Sequence, residues 1–252
     1  MSETTTARTT RRHLLAAAAL TLTAGLPTRA DTEADALMKH IVLLGDSVFD
    51  NAAYVAGGPD VIKQVRERLP AGWRATLWAV DGSVIGSVER QLDQLPPEAS
   101  HLVISVGGND ALGHAGVLDE TTRSMADALE RLAGIRDQFA QEYAALLNSV
   151  LGRGLPTAVC TIYEPRFADL RQRRLAATGL MVLNDCITRE AFARGLSLID
   201  LRLICDRDED FANPIEPSVR GGAKIAAAIA ALVTGQGGTQ PSEVFARVAE
   251  KS

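Results

Sequence analysis

Apolar stretches alternate with amphipathic stretches along most of the chain. Runs rich in valine, isoleucine and leucine predict buried strands at residues 40–45, 74–80, 101–107, 156–162 and 197–201. Between these runs, apolar residues recur at intervals of three, four or seven, which is the spacing of one helix face, most clearly over residues 125–150. Strands that alternate with helices form right-handed βαβ units. The pattern therefore predicts an α/β domain whose parallel sheet is covered by helices on both faces.

The sheet is expected to be of the flavodoxin type, in which ligands bind beyond the carboxyl ends of the strands. The sequence shows no internal repeat and no long linker, and 252 residues suit a single domain with a substantial core. We assign that domain to residues 38–235 and a C-terminal tail to residues 236–252.

Residues 1–30 have the composition of an export signal. Three arginines at positions 8, 11 and 12 precede an apolar stretch from Leu14 to Ala24, and small residues follow it. The pair Arg11-Arg12 resembles a twin-arginine signal, which predicts a periplasmic or secreted protein with no stable membrane span after processing. The alternative is a cytoplasmic protein whose translation starts at Met38, directly before the first strand.

Composition narrows the classes of function. The net charge is −5 and no basic stripe is present, which argues against a nucleic-acid partner. Aromatic residues make up only 4% of the chain, which disfavours a stacking pocket for a flavin. The three cysteines, Cys160, Cys186 and Cys205, have neither disulfide-framework nor zinc-site spacing. We therefore expect no cofactor and no metal, and the oligomeric state is left open.

Three polar turns follow the first three predicted strands. Ser47 follows the first strand in Gly-Asp-Ser, Gly82 follows the second, and Asn109 follows the third in Gly-Gly-Asn-Asp. In isolation such residues are ordinary turn formers. At one edge of a sheet, however, a serine nucleophile would lie beside amide donors for an oxyanion, which is the combination that acyl transfer requires.

These three blocks, in this order and at strand ends, resemble the SGNH (GDSL-type) hydrolase family over residues 40–234. The resemblance implies a three-layer αβα sandwich, with Ser47 as the nucleophile and Ser47, Gly82 and Asn109 as oxyanion-hole residues. The family's last block carries an Asp and, three residues later, a His. This chain has Asn213 and Glu216 at those positions, although the following Pro-Ser and glycines stay in register.

The general base is therefore open between two residues. Glu216 occupies the family's histidine position, and burial would have to raise its pKa for it to work as a base, to about 5 to 6 on our expectation. His114 lies five residues after Asn109 on a loop at the same edge and is the alternative base.

We interpret the chain as a serine ester hydrolase that acts on a small ester or acyl substrate through Ser47. The first alternative is a degenerate SGNH domain that binds an acyl or glycan ligand without efficient turnover, because the last block is altered. The second is a flavodoxin-like cofactor or receiver module, which the few aromatic residues and the lack of a glycine-rich phosphate loop disfavour.

Overall fold

The computed structural model describes residues 38–236 together with residues 242 and 244. The predicted signal at residues 1–30 and most of the predicted tail lie outside the described residues. Among the residues it describes, the structure has no helix that is long and apolar enough to cross a membrane.

A five-stranded parallel sheet forms the centre of the domain, as predicted. Its strands are β1 (Lys39–Gly45), β2 (Trp73–Leu77), β3 (His101–Ser105), β4 (Thr157–Cys160) and β5 (Ser197–Ile199). Their order across the sheet is β2-β1-β3-β4-β5, and every neighbouring pair is parallel. The direction of the chain across the sheet reverses between β1 and β3, which is where open α/β sheets bind their ligands.

Helices cover both faces of the sheet. They are α1 (Val61–Arg68), α2 (Val88–Leu92), α3 (Gly108–Gly113), α4 (Met125–Leu151), α5 (Leu170–Ala193), α6 (Leu201–Ile204) and α7 (Val219–Thr234). Helices α1 and α7 pack against each other on one side, and α4 and α5 pack against each other within the opposite layer. The predicted αβα sandwich is therefore confirmed.

Strands β2, β3, β4 and β5 all end earlier than predicted, and at two element boundaries the cause is a polar residue that caps a helix. The fifth strand ends at Ile199 and not at residue 201, since the Asp200 side chain accepts a hydrogen bond from the Arg202 amide and starts α6. The spacing of apolar residues predicts a helix from Leu175 to Arg194. Helix α5 begins five residues earlier, at Leu170, because Asp169 caps it by accepting from the Gln172 amide at 2.6 Å.

The two apolar cores follow from the alternation of side chains along the strands. In β1, Ile41 and Leu43 belong to the core under α1 and α7, whereas Val42 and Leu44 belong to the core under α2, α4 and α5. All four side chains are fully buried. Because the side chains on both faces of β1 are buried, residues 41–44 are all apolar, and the strand appears in the sequence as a continuous apolar run.

The end of β1 is built around a close backbone approach. Gly45 has a φ of +122°, and a Cβ atom there would lie only 1.8 Å from the Ser105 carbonyl oxygen. The side chain of Gln91 donates to the Gly45 carbonyl at 2.9 Å and accepts from its amide at 2.7 Å. These contacts fix the point at which the chain leaves the sheet and turns into Asp46-Ser47.

Candidate active site

Ser47 lies in a tight turn immediately after β1. The Asp46 carbonyl accepts from the amides of Phe49 and Asp50, both at 3.1 Å, and the Asp46 carboxylate accepts from the Val48 amide at 3.1 Å. These bonds wind residues 47–50 into a turn and hold the buried Ser47 side chain at the end of the sheet. The sequence prediction that Ser47 reaches the carboxyl edge agrees with this placement.

The side chain of Ser47 contacts Glu216, 169 positions further along the chain. The Ser47 hydroxyl donates to Glu216 Oε1 at 3.0 Å, and Glu216 is only 5% exposed. Oε2 of Glu216 is also buried, and it has no hydrogen-bond partner among the described residues. One carboxylate oxygen of Glu216 therefore accepts a hydrogen bond from the Ser47 hydroxyl, while the other accepts none from the described residues.

Contacts along the loop before α7 hold Glu216 in place. The Tyr163 hydroxyl donates to the Ile215 carbonyl at 2.6 Å, and the Asn51 side chain donates to the Pro217 carbonyl at 3.1 Å. Asn213 accepts from the amides of Ile215 and Glu216, both at 2.9 Å. Asn213 thus shapes the backbone that carries Glu216, and no hydrogen bond joins the two side chains in the described part of the chain.

Two of the predicted amide donors can be located relative to the serine: Asn109 lines the same cavity as Ser47, and Gly82 lies in the loop after β2, the strand beside β1. Asn109, at the start of α3, donates to the Ser83 carbonyl at 2.9 Å, which fixes its amide beside the loop that contains Gly82. An amide group has two hydrogens, so one remains for a substrate oxygen. The backbone N–H groups of Ser47 and Gly82 have no acceptor among the described residues, which leaves both able to donate to an oxyanion.

Burial dominates the electrostatics of the site. It raises the pKa of Glu216 from 4.5 to about 7, the Ser47 hydroxyl lowers that pKa, and the charge of Asp81 raises it further. Burial also raises the pKa of Asp46 to about 8, and the charge on Glu216 contributes to that rise. Because both pKa values are raised, the two neighbouring carboxyl groups are not both fully ionised near neutral pH.

His114 lies at the C-terminal end of α3 and lines the same cavity as Ser47. No hydrogen bond joins His114 to Ser47 or Glu216 within residues 38–236. Of the two residues considered as the general base, the structure brings Glu216, and not His114, into contact with Ser47.

A cavity of about 510 Å³ extends from Ser47, Asn109 and Glu216 into the layer of helices. Its walls come from α3, from the short helical segment Ala115–Asp119, and from α4 and α5. No cluster of His, Cys, Asp or Glu suited to a metal ion is found in the described part of the chain. The three cysteines are free and buried.

The sequence left the role of Asp46 and the existence of the cavity unrecognised. In the sequence, Asp46 is only the middle residue of the Gly-Asp-Ser motif, and no local pattern indicates that this residue is 3% exposed. The cavity has one visible trace in the sequence, a glycine at position 179 inside the otherwise regular helix α5.

No protein-family model and no curated protein sequence matches the chain. Several solved structures do resemble it. A lipase/acylhydrolase from Enterococcus faecalis is similar over 82% of this chain and 100% of its own, with 19% identity and a TM-score of 0.59. An extracellular lipase from Streptomyces rimosus covers 76% of this chain and 98% of its own, with 19% identity and a TM-score of 0.55. A member of the lipolytic G-D-S-L family from Veillonella parvula covers 77% of this chain and 97% of its own, with 14% identity and a TM-score of 0.57.

The chain has the SGNH hydrolase fold. Within that fold Ser47, Gly82 and Asn109 stand in the blocks that the sequence resemblance named, at the ends of β1, β2 and β3. The departure is in the last block, where Glu216 contacts the serine in the place at which the resemblance leads one to expect a histidine.

Proposed function

We propose that this protein is a serine ester hydrolase of the SGNH type, with Ser47 as the nucleophile and Glu216 as the general base. The observation that carries the proposal is the 3.0 Å hydrogen bond from the Ser47 hydroxyl to a buried carboxylate, at a cavity that Asn109 also lines. Two of the similar structures, a lipase/acylhydrolase and an extracellular lipase, support the same class of reaction.

The reaction begins when Ser47 Oγ bonds to the ester carbonyl carbon and its proton passes to Glu216 Oε1. The carbonyl oxygen becomes an oxyanion, which accepts hydrogen bonds from the Ser47 and Gly82 amides and from Asn109. The C–O bond to the alcohol then breaks, and Glu216 returns its proton to the leaving oxygen.

Water completes the turnover. Glu216 takes a proton from a water molecule, the resulting hydroxide attacks the acyl-enzyme, and the acid is released as Ser47 regains a proton from Glu216. Because only the ionised carboxylate accepts a proton, the rate should rise with pH through about 7, the pKa of Glu216 in the folded protein. This is a higher pH than the 5 to 6 expected from the sequence, since Glu216 is more deeply buried than a loop position suggests.

A fluorophosphonate probe tests the nucleophile. It should label the mature protein at pH 8 and label it much less at pH 5.5, and Ser47→Ala should abolish labelling. Ser218→Ala is a matched control, because Ser218 caps α7 and does not contact the carboxylate of Glu216. Equal labelling of the Ser47→Ala variant would remove Ser47 from the mechanism.

One observation favours a second candidate, an SGNH domain that binds an acyl or glycan ligand without efficient turnover. With a pKa of about 7, Glu216 is half-protonated at neutral pH, and no histidine replaces it within the described residues. Absence of p-nitrophenyl acetate hydrolysis from pH 5 to pH 9, in a folded protein, would favour this candidate over hydrolysis.

A further inference from the structure

The cavity beside Ser47 is much larger than an acetyl ester needs. Its volume is about 510 Å³. If a methylene occupies the same volume as a water molecule, about 30 Å³, a chain of eight to ten carbons takes on the order of 300 Å³. A two-carbon acyl group would therefore leave most of the cavity in contact with solvent and would gain little binding energy from it.

The walls of the cavity are mainly aliphatic. Helices α4 and α5 contribute Leu132, Ile135, Leu175, Leu180 and Leu183. Arg171 is the only lysine or arginine that lines it among the described residues. The aliphatic wall from α4 and α5 matches the chemistry of a hydrocarbon chain, while polar side chains such as His114, Asp119 and Gln172 line other parts of the cavity.

The space depends on small residues that face it from α5. Gly179 is half-buried and lines the cavity, and a Cβ atom built there meets nothing within 4 Å. Ala176 lies three residues earlier, on the same face of the helix, and also lines the cavity. A glycine inside a helix lowers helix stability relative to alanine. Gly179 therefore costs the helix some stability, while its lack of a side chain leaves space in the cavity.

The apolar cavity is continuous with the reacting groups. Ser47, Asn109 and Glu216 all line it. A ligand whose chain fills the cavity would place its first carbons beside the Ser47 hydroxyl.

We propose that the site selects esters that carry a linear alkyl chain of about eight to ten carbons, and that Gly179 sets the length of chain that fits. This inference rests on the proposed esterase function, and it concerns which ester is cut. Both the acyl and the alcohol part of an ester are bonded to the group that Ser47 attacks, and the first experiment distinguishes which of them carries the alkyl chain.

The first experiment measures kcat/KM for p-nitrophenyl esters from acetate to dodecanoate, and for ethyl, butyl and octyl acetate. In one of the two series kcat/KM should rise about two- to fourfold per methylene, as expected for burial of apolar surface. The rise should level off near eight to ten carbons, and the series that rises identifies the part of the ester that enters the cavity. A flat or falling profile in both series would overturn the inference.

The second experiment fills the cavity. Gly179→Leu places an isobutyl group in the open space and should lower the octanoate-to-acetate ratio of kcat/KM at least tenfold, or the octyl-to-ethyl ratio in the alcohol series. Gly134→Leu is the matched control, because Gly134 is an exposed helix glycine in α4 that does not line the cavity. If Gly179→Leu does not fold, Ala176→Leu tests the same wall. Equal ratios in the cavity-filling variant and the control would overturn the role of Gly179.

A binding measurement separates this inference from the proposed catalysis. Calorimetric titration of the Ser47→Ala variant with 1-octanol should detect binding at least tenfold tighter than that of 1-butanol, and adding Gly179→Leu should remove the difference. If the wild type hydrolyses no ester but this preference for 1-octanol is found, the cavity assignment stands while the esterase proposal fails. Hydrolysis of acetate esters with no preference for octanol would leave the esterase proposal standing and overturn the cavity assignment.

Discussion

Replacing Glu216 by glutamine should remove a loss of stability that the wild type undergoes as pH rises, because the folded structure opposes ionisation of this carboxyl group. The pKa of Glu216 is raised from 4.5 to about 7 by burial. Each unit of pKa corresponds to about 1.36 kcal/mol, so the ionised side chain makes the folded state less stable by about 3 kcal/mol relative to the unfolded chain.

The sign of this effect follows from proton linkage. Below pH 4.5 the carboxyl is protonated in both states, and Glu216 adds no pH dependence. Between pH 4.5 and about 7 the unfolded chain loses the proton that the folded protein keeps, so stability falls as pH rises. Above pH 7 the whole of the loss is present. Removing the charge on Glu216 also removes one cause of the raised pKa of Asp46, which acts in the same direction.

The assay is urea unfolding of the wild type and of Glu216→Gln at pH 4.5 and pH 8.5. Glutamine leaves a buried NH₂ group near the position of Oε2, which costs about 1–3 kcal/mol at every pH. The informative quantity is therefore the change, between the two pH values, in the difference in unfolding free energy. It should move in favour of the variant by about 3 kcal/mol, and esterase activity should disappear in the same variant.

Glu209→Gln is the matched control, since Glu209 is an exposed glutamate on the neighbouring Asp208–Asp210 segment. It should leave the pH dependence of stability unchanged. A Glu216→Gln variant that follows the wild type in parallel from pH 4.5 to pH 8.5 would show that the raised pKa, and the reasoning from burial, is wrong.

Two further predictions concern the groups around Ser47. Asn109→Ala removes a donor that acts mainly in the transition state, so kcat should fall by about a hundredfold or more with little change in KM. A folded variant with unchanged kcat would show that Asn109 only holds the Ser83 loop in place. Asn213→Asp adds a carboxylate to the turn that carries Glu216, so it should raise the pKa of Glu216 and move the rising limb of the pH–rate profile to higher pH. An unmoved limb in that variant would contradict the electrostatic coupling.

The architecture was predictable from the sequence because its causes are local and repeated. Apolar runs and helical spacing alternate along the chain, and βαβ connections have one handedness, so a parallel sheet between helix layers follows. The same rule brings Ser47, Gly82 and Asn109 to one edge, since each follows the end of a strand. Element ends were predicted less well, because capping by Asp169 and Asp200 depends on single side chains.

The partner of Ser47 was decided by the tertiary structure. Glu216 and His114 were both compatible with the sequence, and only the docking of the loop before α7 against Tyr163 and Asn51 brings Glu216 to the serine. The hydrogen bond between Ser47 and Glu216 spans 169 positions, so no local pattern specifies it. The pKa of Glu216 likewise depends on burial, which is a property of the packed layers and not of the residue.

The cavity illustrates the same division. The sequence contains Gly179 and the leucines of α4 and α5, and their spacing predicts helices with apolar faces. Whether such faces meet closely or leave space is set by how α3, α4 and α5 pack together, since a void is defined by atoms from several elements at once. The sequence therefore determined the place of Ser47 in the fold, while tertiary packing decided which side chain accepts its hydrogen bond and the shape of the space beside it.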